Sequence, residues 1–215
     1  MINRNFALLL PCAVALLAAG PAWAESFALG AKAGTVGVGV EGTFAMTDRF
    51  NLRGGVYALE LSWDDTREGI RYDGDADLKN AGLYLDWHPA RGGFRVSVGG
   101  FQTGNAFNGD ADGDLDVGDD TYTATLNAKV DWDGFAPYLG IGWGNAVRNP
   151  GWSLSFDLGV MFVGQPSVSL TGTVSDPTQE QAFQDDLAIE EQALREDFED
   201  AKYHPVVNLG FAYRF

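Results

Sequence analysis

The chain has 215 residues, a net charge of −16 at pH 7, 28 glycines and an aromatic share of 13%. Such an acidic surface repels nucleic acid, so we exclude a nucleic-acid-binding protein. The single cysteine excludes a fold held together by disulfides, so stability has to come from packing or from a closed hydrogen-bond ladder.

The first 24 residues have the organisation of a cleaved signal peptide. Arg4 precedes an apolar stretch over residues 6–19, and Ala22-Trp23-Ala24 is a small-residue cleavage site. The stretch is too short to cross a membrane as a helix, which needs about 20 apolar residues, and no later segment has an uncharged run of that length. We therefore expect an exported chain with one mature domain, residues 25–215, and no spanning helix.

Alternation of apolar and polar residues recurs along the chain and is clearest over residues 121–132. Even positions there are apolar, from Tyr122 to Trp132, and odd positions are polar. Asp133-Gly134 then has the composition of a hairpin turn, and a second alternating run covers residues 135–143. Similar runs cover residues 57–63, 81–87 and 152–162. A period of two over such lengths predicts long strands.

A soluble sandwich also alternates, but three features favour a membrane barrel. The runs are about as long as the 9–11 residues needed to cross a bilayer at a tilt. Aromatic residues gather at the ends of the runs, as interfacial girdles require. The polar faces are rich in glycine with isolated charges, which suits a crowded lumen.

The last segment is the most specific. Five apolar residues of one parity form an expected assembly signal: Val207, Leu209, Phe211, Tyr213 and Phe215. Together with residues 136–142 (APYLGIG), the ending FAYRF resembles the small OmpA-like outer-membrane β-barrel proteins of Gram-negative bacteria. The resemblance implies a fold and a location in the cell outer membrane after signal-peptide-dependent export, with outer-membrane lipid, lipopolysaccharide and the barrel-assembly machinery as partners.

We predict an all-β protein, a transmembrane antiparallel up-and-down β-barrel of ten strands, with eight as the alternative. Ten follows from a tight outer hairpin near Thr35, the hairpin at Asp133-Gly134, an outer turn at residues 148–150 and a separate strand over residues 167–174. Eight follows if residues 152–174 form one protruding strand and the parity switch near Thr35 is a bulge. At either count side chains largely fill the bore.

Charged residues on the polar parities are expected to face this lumen and to pair there. They are Lys32, Glu41, Glu60, Asp86, Arg95, Lys129, Asp131 and Asp157.

Residues 108–119 match the spacing of a calcium loop of the EF-hand kind. Oxygen ligands would come from Asn108, Asp110, Asp112, Asp114 and Asp119, and Gly113 holds the turn position. Helices do not flank the segment and an aspartate stands where a bidentate glutamate is usual. We therefore expect at most weak calcium binding, in the roughly millimolar range, and no other cofactor.

Residues 175–204 change from strand periodicity to helix periodicity. Asp176 suits an N-cap, Pro177 the first helical position and Gln179 a capping-box partner. An apolar stripe from Phe183 to Ala201 and many acidic residues predict an amphipathic acidic helix in the last extracellular loop. Its stripe is expected to pack on the rim or on protruding strands; capping the lumen or meeting a partner are the alternatives.

Enzymatic activity is not expected, because the two histidines, His88 and His204, are predicted at opposite ends of the barrel and cannot cooperate. Two classes remain. One is a barrel with a structural or surface-interaction role and a narrow filled lumen, which we favour; the other is a narrow channel for ions or small solutes.

Overall fold

A computed structural model describes residues 26–118 and 120–215, so the predicted signal peptide and Asp119 lie outside the described residues. The described chain forms nine strands and one helix. They are β1 (Phe27–Gly34), β2 (Gly37–Ala45), β3 (Phe50–Arg67), β4 (Ile70–Trp87), β5 (Phe94–Val117), β6 (Asp120–Trp143), β7 (Gly151–Phe162), β8 (Ser167–Val174), α1 (Glu180–Asp197) and β9 (Tyr203–Arg214). No helix of the described part is long and apolar enough to cross a membrane.

Eight strands close into an antiparallel barrel. Neighbours in the chain pair from β1 to β7, and β9 closes the ring between β7 and β1. The remaining strand, β8, pairs with the first part of β6 and stands outside the ring. The count of eight is therefore the one the structure has, and the count of ten is wrong.

The hairpin predicted at Asp133-Gly134 is also wrong. Strand β6 runs without interruption through both residues and pairs with β5 along its whole length, Gly134 lying opposite Thr103. The tight hairpin near Thr35 is present, because Gly34 pairs with Gly37. The turn at residues 144–150 was predicted on the outer side of the barrel, but it lies at the end where β1 begins and β9 finishes. We call this end of the barrel the terminal end, and the other the helix end.

The four longest strands invert their apolar parity at one level. In the halves near the terminal end, outward positions such as Leu52, Leu83, Val98 and Leu139 are apolar and exposed. Beyond the pairing line Tyr57–Asn80–Thr103–Gly134, outward positions become polar and inward positions apolar. A strand can continue through such an inversion when its surroundings change from apolar to aqueous.

The halves of β3 to β6 beyond this line, together with β8, form what we call the outer sheet: residues 59–67, 70–79, 104–117, 120–133 and 167–174. Helix α1 lies on its inner face. Phe183 and Leu187 of the helix pack with Leu115, Tyr122 and Ala124 of β5 and β6 in a buried apolar core. The predicted stripe therefore packs on protruding strands.

Helix α1 begins later than its sequence suggests. Asp176 accepts hydrogen bonds from the backbone and hydroxyl of Thr178, at 2.9 and 2.8 Å, and so closes a turn before the helix. These bonds lower the pKa of Asp176. The N-cap is Gln179, and its side chain makes no capping bond. Asp176 is thus not the N-cap, because Pro177 and Thr178 continue the turn.

Candidate functional site in the barrel interior

Six charged side chains, three of each sign, meet inside the barrel near its terminal end. They are Lys32, Glu41, Arg53, Asp86, Arg95 and Asp157, which we call the ion cluster. All are buried, none more than 8% exposed. Removing an ion from water is costly, and only close pairing and hydrogen bonds offset that cost. Because the cluster has three cations and three anions, each buried charge has an opposite charge to pair with.

Asp157 is the central anion of the cluster. Its Oδ2 lies 2.6 Å from Lys32 Nζ, and its Oδ1 lies 2.6 Å from Arg95 Nη2. Arg53 approaches the same carboxylate at 3.4 Å. One residue of β7 is thus tied to cations on β1, β3 and β5, so the cluster braces the barrel across its bore.

Arg53 is the central cation. It donates to Asp86 through Nε at 2.7 Å and Nη2 at 3.1 Å, a two-pronged geometry that suits guanidinium and carboxylate. Its Nη1 lies 3.0 Å from Glu41, which also pairs with Lys32 at 2.9 Å. The hydroxyl of Ser97 donates to Asp86 at 2.5 Å.

A glycine makes room for this pairing. A Cβ on Gly142 would lie 2.9 Å from Asp157 Oδ1 and 3.0 Å from Arg95 Cζ, closer than real contacts allow. Glycine at this inward position of β6 therefore lets Arg95 reach Asp157 across the neighbouring strand.

An aromatic plug fills the bore between the ion cluster and the helix end. Its buried members are Val36, Tyr57, Tyr84, Phe101, Ala136, Tyr138, Met161 and Val206. The rings of Tyr84, Phe101 and Tyr138 meet edge to face, with centroids 5.2 to 5.7 Å apart, an arrangement that adds to the burial energy.

Polar contacts join the plug to the cluster. The hydroxyl of Tyr57 donates to Glu41 at 2.8 Å, and the guanidinium of Arg53 lies 4.4 Å from the centre of the Tyr84 ring. Beside the cluster a cavity of 20 Å³ is lined by Lys32, Arg53 and Arg95 among others. That is room for about one water molecule, which is too little for a hydrated ion.

The structure brings together five of the predicted lumen charges: Lys32, Glu41, Asp86, Arg95 and Asp157. The prediction is wrong for Glu60, Lys129 and Asp131. These three lie beyond the inversion level on the outward face of the outer sheet, where Lys129 pairs with Asp131 at 3.0 Å and Glu60 lies 4.0 Å from Lys79.

Arg53 was missed by sequence reasoning. It shares its inward parity with Tyr57, Leu59 and Leu61, and a lipid-facing interpretation of those apolar residues gives Arg53 the wrong face. The inward parity of Glu41 on β2 and Asp86 on β4 could have identified Arg53. Strand β3 lies between these two strands, so the two carboxylates need a cation from it.

The segment expected to be a calcium loop is a strand. Residues 108–117 belong to β5, and Asp112 and Asp114 accept hydrogen bonds from Thr125 and Thr123 at 2.6 and 2.5 Å. Alternate residues of a strand are about 6.8 Å apart, which spreads the carboxylates along one face. Among the described residues no group of three acidic, histidine or cysteine side chains is gathered for a metal. The loop conformation is therefore wrong; calcium binding itself stays a prediction.

The two histidines lie at opposite ends of the barrel. At the terminal end, His88 contacts Asn51 through Nε2 and the Gly92 carbonyl through Nδ1, and burial lowers the pKa of its ring. At the helix end, His204 contacts the Thr35 carbonyl at 3.1 Å. Both hold turns in place.

The last strand has an outward apolar row. Val207, Leu209, Phe211, Tyr213 and Phe215 are all more than a third exposed. Exposed apolar residues also follow one another on one parity of β2 and β7, and Leu29 is exposed on β1. The barrel therefore carries an apolar belt on its outer face below the inversion level.

Fold and interior together define an antiparallel eight-stranded β-barrel with a charged, filled bore and a ninth strand outside the ring. No protein-family model and no curated protein sequence matches the chain. Solved structures that match in shape include two from Acinetobacter baumannii. Acinetobacter baumannii CarO2 superposes with a TM-score of 0.63 at 21% identity, covering 88% of this chain and 98% of its own. Acinetobacter baumannii CarO gives 0.61 at 23%, covering 87% and 97%. At this identity the likeness shows the fold.

Proposed function

We propose that this protein is an integral outer-membrane β-barrel with a closed bore and a structural or surface-interaction role. The observation that carries the proposal is the apolar belt combined with the parity inversion at one level. Exposed side chains such as Leu83, Leu139 and Leu154 would be costly in water and favourable in hydrocarbon. Beyond the line the same face turns acidic, as a water-exposed surface does.

The arrangement of turns and extensions supports one orientation in the membrane. Short turns occupy the terminal end, and the outer sheet and helix α1 occupy the other. In barrels of this kind short turns face the periplasm and longer extensions face outward. We therefore place the helix end outside the cell, in contact with the lipopolysaccharide leaflet, after export by the signal peptide and insertion by the barrel-assembly machinery. The finer kinship to OmpA-like proteins belongs to this proposal as well.

The closed bore favours the structural role over transport. Side chains of the ion cluster and the plug lie buried inside the barrel, and the cavity beside them, with room for about one water, cannot pass a hydrated ion.

A narrow channel is the second candidate, and the charged lining of the cavity is the observation that favours it. Planar-bilayer conductance of the refolded protein separates the two. We expect no stepwise conductance from the wild type. Steady ion-selective steps that change with Arg95→Gln would favour the channel instead.

Location has a separate test. Intact cells with a tag inserted at Gly118, between β5 and β6, should bind a tag antibody, and the same tag between Asp48 and Arg49 should be reached only after lysis. The opposite pattern would contradict the orientation, and absence of the protein from outer-membrane fractions would contradict the membrane proposal.

A further inference from the structure

The outer sheet has two edge strands, β3 and β8, and helix α1 covers the β8 edge. At the β8 edge, Glu191 accepts from the backbone of Leu170 at 3.1 Å and Arg195 donates to the carbonyl of Val168 at 3.3 Å. Gln184 donates to the Gly172 carbonyl, also at 3.3 Å. The helix therefore satisfies backbone groups that another strand could otherwise pair with.

The opposite edge belongs to β3 and has no such cover in the described structure. Strand β2 ends its pairing with β3 at Val38 and Ala58, whereas β3 continues to Arg67 and pairs with β4 on its other side alone. Residues 59–67 thus present an open row of backbone donors and acceptors, long enough for a complete added strand.

Beside this edge the inner face of the sheet is apolar and uncovered. Leu61 is 53% exposed, Trp63 54% and Tyr72 39%, because helix α1 packs farther along the sheet on β5, β6 and β8. Trp63 lies flat over Gly74, where a Cβ would meet its ring at 2.3 Å. An added strand would place alternate side chains on this face.

The outward face beside the same edge is acidic. Glu60 and Asp64 point outward from β3, and the cross-strand neighbours Asp73 and Asp77 point outward from β4. Lys79 lies 3.1 Å from Asp77 and 4.0 Å from Glu60, and Arg71 lies 2.9 Å from Asp73, so these four carboxylates outnumber the two neighbouring cations. A second copy of this chain would bring a matching acidic edge against it, which like-charge repulsion disfavours. A strand with basic residues on that face would be attracted instead.

We propose that the β3 edge, residues 59–67, binds an extended cationic peptide segment by strand addition, with basic side chains beside Glu60 and Asp64 and apolar side chains beside Leu61 and Trp63. In this mode backbone hydrogen bonds provide affinity and the alternating side chains provide specificity. The inference rests on the proposed surface role, since only an outward-facing edge meets such a partner.

Titration of the purified full barrel in zwitterionic micelles with a nine-residue peptide of alternating lysine and valine tests it. Binding should protect the amides of residues 59–67 from hydrogen exchange and leave the β8 edge unchanged. Peptides with glutamate in place of lysine, or with proline at alternate positions, should not bind, because one loses the charge match and the other the backbone donors.

Matched variants locate the site. Glu60→Gln with Asp64→Asn should weaken binding about fivefold at low salt, and Asp114→Asn with Asp116→Asn, on β5, should leave it unchanged. Leu61→Ser should weaken binding too, whereas Ile189→Ser on the exposed face of α1 should not.

Three results would overturn the proposal: no binding of the lysine peptide, protection that maps outside residues 59–67, or peptide-free dimers protected at this edge, which would make a second copy the occupant. None of them bears on the apolar belt, so bilayer insertion and conductance still test the proposed function by themselves.

Discussion

The carboxylate of Asp157 lies 2.6 Å from the ammonium of Lys32, a residue 125 positions earlier in the chain. The pair joins the first strand of the barrel to the seventh, and both side chains are buried.

Asp157→Asn should destabilise the barrel by about 3–5 kcal/mol, because it leaves three buried cations against two anions. Urea unfolding of the protein refolded in micelles measures the difference. Asp133→Asn removes a carboxylate from an exposed position of β6 and serves as the control. Equal unfolding midpoints for the two variants would show that the ion cluster does not brace the barrel.

Arginine substitutions on either side of the inversion level of β6 should differ sharply. Leu139→Arg places a charge in the apolar belt and should cost about 2–4 kcal/mol in a bilayer, whereas Asn127→Arg lies on the outward face of the outer sheet and should be nearly neutral. Unfolding from lipid vesicles measures both. In detergent micelles, which have no fixed hydrocarbon thickness, the difference in destabilisation between the two variants should be smaller. Similar costs at both sites would contradict the level we assign.

Docking of helix α1 should depend on alkaline pH through Tyr122. Its hydroxyl donates to Asp186 of the helix at 2.7 Å, and this bond raises the pKa of Tyr122 from 10.0 to about 12. The docked state therefore keeps a proton that the undocked state loses, so docking weakens as pH rises from 10 to 12.

Protease cleavage within α1, followed across that pH range, reports the undocking. Tyr122→Phe has no proton to lose and should flatten the profile while retaining the contact of its ring with Phe183. An unchanged profile in this variant would assign the pH dependence to another group.

Weak calcium binding by the outer half of β5 stays a prediction. Asp110 and Asp112 are alternate residues on the outward face of β5, so a calcium ion bound with an affinity in the roughly millimolar range would offset their repulsion. Calorimetry of the wild type and of the variant Asp110→Asn with Asp112→Asn decides it. No heat with millimolar calcium, or equal heat from both proteins, would leave these carboxylates as a solvated face bonded to threonines.

The sequence predicts the barrel, the helix and most of the ion cluster because inward charges and outward apolar residues alternate on strands of membrane length. It does not predict that one strand can exchange its two faces. Asp133-Gly134 has the composition of a turn, yet the ladder continues through it, since Gly134 adopts a φ of +136° inside the strand. Periodicity alone cannot distinguish a hairpin from a change of surroundings.

The same difficulty explains the residues that were misplaced. Lys129 and Asp131 alternate with Val130 and Trp132 as lumen charges would. On the apolar side of this strand, however, helix α1 packs against its first residues, and Phe198 and Ala201, just after the helix, contact Trp132. Which face of such a segment is buried depends on contacts formed only in the complete fold. Arg53 is not predicted to face the lumen for the same reason: the face of its strand is inferred from Leu59 and Leu61, which lie beyond the inversion level.

In the proposed membrane location, the inversion level also determines how deeply the barrel lies in the bilayer. One residue along a strand is about 3.3 Å. Sliding the barrel outward by a pair of residues would expose Val56 and Phe135, outward residues next to the pairing line, to water, and sliding it inward would draw Lys79 and Asp133 into hydrocarbon. The outer sheet is therefore held at a constant height above the membrane.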